Sequence, residues 1–120
     1  MRRLWLLMAL LAPLSAHAQR ASDVTGANLL TFCTASNSSR VQNCEAYLNG
    51  VADTFTGFLK FGPKDAQGRP IAAMICIPPA ITGRDLRLSV IHGLQQQPAL
   101  QSLQAVEAVE RILHHTYPCH

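Results

Sequence analysis

Val41-Gln42-Asn43-Cys44-Glu45-Ala46-Tyr47-Leu48-Asn49-Gly50-Val51-Ala52-Asp53-Thr54-Phe55-Thr56-Gly57-Phe58-Leu59-Lys60-Phe61 is the stretch that decides the fold. Within it Cys44, Leu48, Val51, Phe55 and Phe58 recur at spacings of four, three, four and three. That rhythm puts all five on one face of an α-helix, where a strand would alternate every second residue. Tyr47 and Leu59 widen the apolar stripe. The spacing predicts a helix from about residue 41 to residue 61. Gly50 and Gly57 each lower helix propensity by about 1 kcal/mol relative to alanine. Gly50 is read as a point of close approach for a neighbouring helix, not as a break. Tyr47, at the edge of the stripe, is either a core tyrosine with its hydroxyl at the surface or an anchor on a binding face.

Upstream, Thr25 or Gly26 opens a first helix that reaches about Ala35, with Leu29, Leu30 and Cys33 on one stripe. Residues 36–40 (Ser-Asn-Ser-Ser-Arg) are a turn signal between the two helices. Downstream, residues 62–79 hold Gly62, Pro63, Gly68, Pro70, Pro78 and Pro79, a density of breakers that no helix crosses. The apolar run 71–77 inside it fits a short strand or an extended buried segment. A connection this long in a small domain is often functional. Thr82-Gly83-Arg84-Asp85 then resembles a capping box that starts a third helix, with Leu86, Val90, Ile91 and Leu94 as its core face. Pro98 suits the first turn of a fourth helix, which Leu100, Leu103, Val106, Val109 and Leu113 extend over about residues 99–115. The chain therefore reads as all-α. It forms two helical hairpins, about four helices in all, joined by one long irregular loop.

The beginning of the chain belongs to a different category. Arg2 and Arg3 precede an apolar run at residues 4–11, and Ala16-His17-Ala18 places small residues at −3 and −1 of a cut after Ala18. This is the three-part pattern of a secretory signal peptide, too short for a spanning helix. The expected division is a signal peptide at 1–18 and a helical domain at 19–120, delivered to the periplasm and free of membrane once cut. Losing Arg2 and Arg3 leaves eight basic residues against seven acidic ones, so the formal charge falls from +3 to +1. A near-neutral chain has no general basic footprint for nucleic acid. About a hundred residues also leave no room for a catalytic and a cofactor domain together.

Export changes what the four cysteines mean. Cys33, Cys44, Cys76 and Cys119 are an even set in an oxidising compartment, which implies two disulfides. Cys33 is near the end of the first helix and Cys44 near the start of the second; Cys76 precedes the third and Cys119 follows the fourth. Antiparallel hairpins bring each of those pairs together, which favours Cys33–Cys44 and Cys76–Cys119 over the other two connectivities. A cross-hairpin pairing stays open at this point. The residues suggest no metal or cofactor. There is no Cys-x-x-Cys pair, and no His-Glu-x-x-His accompanies His92, His114, His115 and His120. These histidines read as surface residues. Asp85 reads as a cap and the other acids as solvated. No nucleophile elbow, P-loop or dinucleotide fingerprint appears, so an enzyme is disfavoured.

Several pieces together resemble the Rap/Tai family of type VI secretion immunity proteins. They are Leu29-Leu30 with Cys33, the run Cys44-Glu45-Ala46-Tyr47-Leu48-Asn49-Gly50, Cys76-Ile77-Pro78 before a helix, Pro98, and the closing Tyr117-Pro118-Cys119. Ala46 departs from the glycine often found there, as do Arg84-Asp85 from a polar residue such as glutamine. The resemblance implies a small helical, disulfide-linked periplasmic protein, often a homodimer. It implies a cognate effector as partner, a peptidoglycan-cleaving amidase blocked sterically and without catalysis. On this sequence the loop at residues 62–69 is the candidate to occlude it, with Lys60, Pro63, Lys64, Asp65 and Arg69 as contacts and Tyr47 as a further anchor. A general periplasmic stress or folding factor, or a family relative without a toxin partner, is the alternative.

Overall fold

The computed structural model describes residues 23–71 and 75–120; the expected signal segment 1–18 and the middle of the apolar run at 71–77 lie outside the described residues. The regular elements of the described chain are helices: α1 (Gly26–Cys33), α2 (Ser38–Phe61), α3 (Gly83–Gln96) and α4 (Ala105–Thr116), with a short 3₁₀ helix at Pro98–Ser102. Sixteen apolar side chains form one core, with Leu29, Leu48, Ile75, Val90, Leu94, Val109 and Leu113 essentially inaccessible. All four α-helices contribute to it, and α3 packs against each of the others. The all-α architecture with two disulfides agrees with the sequence.

The starts of α1, α2 and α3 follow from local chemistry. Thr25 caps α1 and Thr82 caps α3, each in a full capping box, the second with Asp85 in the acidic position. The Thr82 amide and hydroxyl donate to Asp85 Oδ2 at 2.8 and 2.7 Å. Those bonds hold the Asp85 carboxyl below its ordinary range. Helix α2 begins three residues earlier than its apolar spacing predicts, because Asn37 Oδ1 accepts from the amides of Ser39 and Arg40. The segment expected as a turn is thus a cap followed by the first helical turn.

The disulfides are Cys33–Cys44 and Cys76–Cys119. The first is wholly buried and closes the α1–α2 hairpin. The second ties the end of the long loop to the chain's last residues, where Cys76 N donates to the Tyr117 carbonyl at 2.8 Å and Ile75 bridges to Pro118. Ile75 is buried, so this end of the run is the extended buried segment, while Ile71 is exposed. Arg87 bolts three helices together: its Nε donates to Glu45 at 3.1 Å, and its Nη1 to the Cys33 carbonyl at 3.3 Å. Glu45 is therefore not simply a solvated acid.

Three expectations need correction. The single helix expected over 99–115 is two pieces. Leu103 and Gln104 are extended, and they pair with the segment before α1: Gly26 N donates to the Leu103 carbonyl and Ala105 N to that of Val24, at 2.9 and 2.8 Å. A 3₁₀ turn also repeats apolar residues every three positions, so Leu100 and Leu103 mimicked an α-helical stripe. Close approach occurs at Gly93, not Gly50. A Cβ at Gly93 would lie 2.6 Å from Ile112 Cγ1, whereas none of the described residues comes within 4 Å of one at Gly50. Finally, Phe58 does not join the core; it is 47% exposed.

Candidate functional site

The third correction leads to the site. With 24 residues, α2 is about 36 Å long, against about 21 Å for the 14 residues of α3. Its last buried residues are Val51 and Ala52. Beyond them the apolar spacing continues with no helix of the described residues opposite. Phe55 still packs on the core, but Phe58 and Phe61 face solvent, Phe61 at 80% exposure. At 100° per residue, Tyr47, Gly50, Thr54, Phe58 and Phe61 lie along one side of α2. This side is an apolar stripe running from the core to the loop.

Near its upper end the stripe borders an open groove between α2 and α4. Tyr47, Gly50, Val51, Thr54, Phe55 and Phe58 line one wall, and Val106 and Glu110 the other. Its volume of about 530 Å³ holds several side chains of a partner. The bare Gly50 backbone keeps the groove deep, since no side chain stands there. Tyr47 meets both expectations at once. Its ring packs against the core, and its edge faces this groove and a neighbouring apolar hollow with Val24 and Phe32. Burial raises the pKa of its phenol, which stays neutral.

At the lower end the loop is a rigid hairpin. Lys64 pairs with Pro70 across it, Asp65 N donates to the Arg69 carbonyl at 2.8 Å, and Ile71 N to that of Pro63 at 3.1 Å. Gly68 turns the chain at φ 77°, a left-handed conformation that favours glycine. The Asp65 carboxylate organises the turn. It accepts from the amides of Gln67 and Arg69 and from Arg69 Nε, at 2.9, 2.9 and 2.8 Å. The Arg69 bonds, followed by that of Gln67, hold its pKa below the ordinary value. Of the expected contacts, Asp65 and Arg69 are thus engaged with each other. Pro63 and Lys64 stand exposed, and Lys64 makes no ion pair among the described residues. The Lys60 ammonium lies 5.3 Å from the Phe61 ring centre.

The expected residues therefore fall in two patches, Tyr47 at one end of the stripe and Lys60, Pro63, Lys64, Asp65 and Arg69 at the other. Phe58, Phe61, Ile71 and Val106, all well exposed, complete the surface, and the sequence reading did not single them out for it. The signal available for the first two was an apolar stripe longer than any partner helix could cover. His92, His114, His115 and His120 are exposed, and among the described residues no group of three or more His, Cys, Asp or Glu could hold a metal ion.

Residues 25–119 match the family model of the Rap1a immunity proteins. No curated protein and no solved structure matches the chain.

Proposed function

Since the chain belongs to the Rap1a immunity protein family, we propose that it is the antidote to a type VI secretion effector, binding the toxin and blocking its cleft. The observation that carries this reading is the exposed stripe of α2, with a concave groove at Tyr47 and a rigid hairpin beyond Phe61. An inhibitor that acts sterically needs a preformed surface, because ordering a loop on binding subtracts from affinity. The Asp65 clamp supplies that rigidity. The effector is a peptidoglycan amidase, the protein works without catalysis, and it forms a homodimer. Its site of action is the periplasm, reached by a signal peptide cut after Ala18 to leave a domain at 19–120. Two disulfides suit that oxidising compartment, and no helix among the described residues is long and apolar enough to cross a membrane.

Within this reading Tyr47, Phe55 and Val106 grip the effector in the groove, while Lys60, Pro63, Lys64 and Arg69 present the hairpin to its cleft. Copurification of the tagged, exported protein with a secreted amidase tests it. Deleting residues 63–69 should abolish inhibition while leaving the four helices in place. Undiminished inhibition by that variant would remove the hairpin from the mechanism.

A further inference from the structure

The hairpin end of α2 has a charge distribution of its own. Lys60, Lys64 and Arg69 against Asp65 give residues 60–71 a net charge of +2. The other described residues hold four arginines and six acids, a net charge of −2. The described chain is neutral as a whole, and its excess positive charge sits at this one tip.

The same tip exposes its largest apolar side chains, Phe58 at 47%, Phe61 at 80% and Ile71 at 65%. The bond from Ile71 N to the Pro63 carbonyl holds Ile71 beside the end of α2, and the Lys60 ammonium rides over the Phe61 ring. We propose that this tip docks on an anionic phospholipid surface. Phenylalanine rings bury shallowly at the boundary between headgroups and acyl chains, and lysine and arginine stems lie along apolar surface while their heads reach phosphates. Two weak signals, an inserted apolar group and a basic patch, together give reversible attachment where neither suffices alone. Each basic side chain near an anionic bilayer strengthens binding about five-fold. At the tip Phe58, Phe61 and Gly62 border only a shallow, open hollow with Thr54 and Gly57, and the apolar groups are gathered where α2 meets the hairpin, which suits a soft partner. The concave groove, whose wall runs from Tyr47 down to Phe58, suits a protein, and Tyr47 lies about 21 Å from Phe61, fourteen residues up the helix. Lipid on the tip covers Phe58 and leaves the Tyr47 end of that groove open; an effector that takes the hairpin displaces the lipid. The proposal stands apart from the identity of any effector.

The test is co-sedimentation of the exported protein, both disulfides formed and its N-terminus read by mass spectrometry, with vesicles of phosphatidylcholine with or without phosphatidylglycerol. Binding to the phosphatidylglycerol vesicles should exceed binding to pure phosphatidylcholine by about ten-fold or more, and should fall as salt rises. The Lys60→Glu/Lys64→Glu variant should lose about ten-fold or more of that binding, and Phe61→Ser several-fold. Leu88→Ser, which removes an exposed apolar side chain on α3, should leave it unchanged. Circular dichroism of every variant keeps a folding defect from passing for a binding defect. Equal binding to both vesicles, no binding to either, or full binding by the Lys60→Glu/Lys64→Glu variant would each overturn the proposal. So would a protein partner that takes the tip while vesicles of either kind are ignored.

Discussion

Adding one methyl group at Gly93 and the same group at Gly50 should move stability in opposite directions. Both glycines lie inside helices, α3 and α2 respectively. Alanine in place of glycine in a helix interior is worth about 1 kcal/mol from backbone entropy. At Gly50 none of the described residues comes within 4 Å of the new Cβ, so Gly50→Ala should collect the whole gain. At Gly93 the new Cβ falls 2.6, 2.8 and 2.8 Å from Cγ1, Cδ1 and Cγ2 of Ile112. Two of those atoms are fixed to a β-branched carbon, and Ile112 is 3% exposed in the α3–α4 interface, so the clash has no outlet. Overpacking a tight core costs about 1–3 kcal/mol, which exceeds the propensity gain. The net expectation for Gly93→Ala is a loss of about 1 kcal/mol, against a gain of about 1 kcal/mol for Gly50→Ala. In thermal unfolding each change is about 4–8 °C for a domain of this size. Trimming the neighbour as well, in Gly93→Ala/Ile112→Val, should recover part of the loss by removing the Cδ1 contact. If Gly93→Ala melts at or above the parent temperature, the close approach of α3 and α4 at Gly93 is wrong.

Other consequences can be measured on the same protein. Replacing Cys76 and Cys119 by serine opens the longer loop, and by the loop-entropy estimate should cost about 4 kcal/mol in urea unfolding, against about 3 kcal/mol for the Cys33–Cys44 pair. The reverse order would show that burial of the Cys33–Cys44 bridge outweighs loop length. Thr82→Ala removes the α3 capping box and should destabilise by about 1 kcal/mol; an unchanged midpoint would refute the cap. Asp65 has a folded pKa below its unfolded value, so its contribution is present above the ordinary aspartate range and is lost as pH falls through the depressed value. Amide exchange at Gln67 and Arg69, followed by NMR, should accelerate on acidification beyond the intrinsic pH dependence, and Asp65→Asn should show the fast exchange already at neutral pH. Protection that is indifferent to both changes would mean the carboxylate does not hold the hairpin.

The extent to which the chain could be read before its structure follows from the kind of interaction involved. Local chemistry was plain. Thr82 with Asp85 announced a helix start, and the cysteines at hairpin ends favoured the pairing that the structure has. Asn37 carried a cap signal too, but in the run Ser-Asn-Ser-Ser the same residue types also spell a turn. Tertiary effects were not legible. The break at Leu103–Gln104 comes from backbone pairing with Val24 and Gly26, far away in sequence. Nothing local distinguishes Gly93 from Gly50; only the opposing Ile112 does. The site shows the same limit. Lys60, Lys64 and Arg69 were visible as charges on a loop. That Phe58 and Phe61 stand outside the core depends on α2 outrunning its partner helices, which spacing within α2 alone does not reveal.

The central claim is that the α2 stripe and its hairpin hold a toxic effector. The most direct measurement is calorimetric titration of the effector captured from the producing cells, with the exported protein and two variants, Tyr47→Ser at the groove and Lys64→Glu at the hairpin. The account predicts saturable binding by the parent protein, and affinity reduced by about ten-fold or more in each variant, a typical loss when an interface anchor is removed. Undiminished affinity in both variants, with their folds intact by circular dichroism, would contradict it.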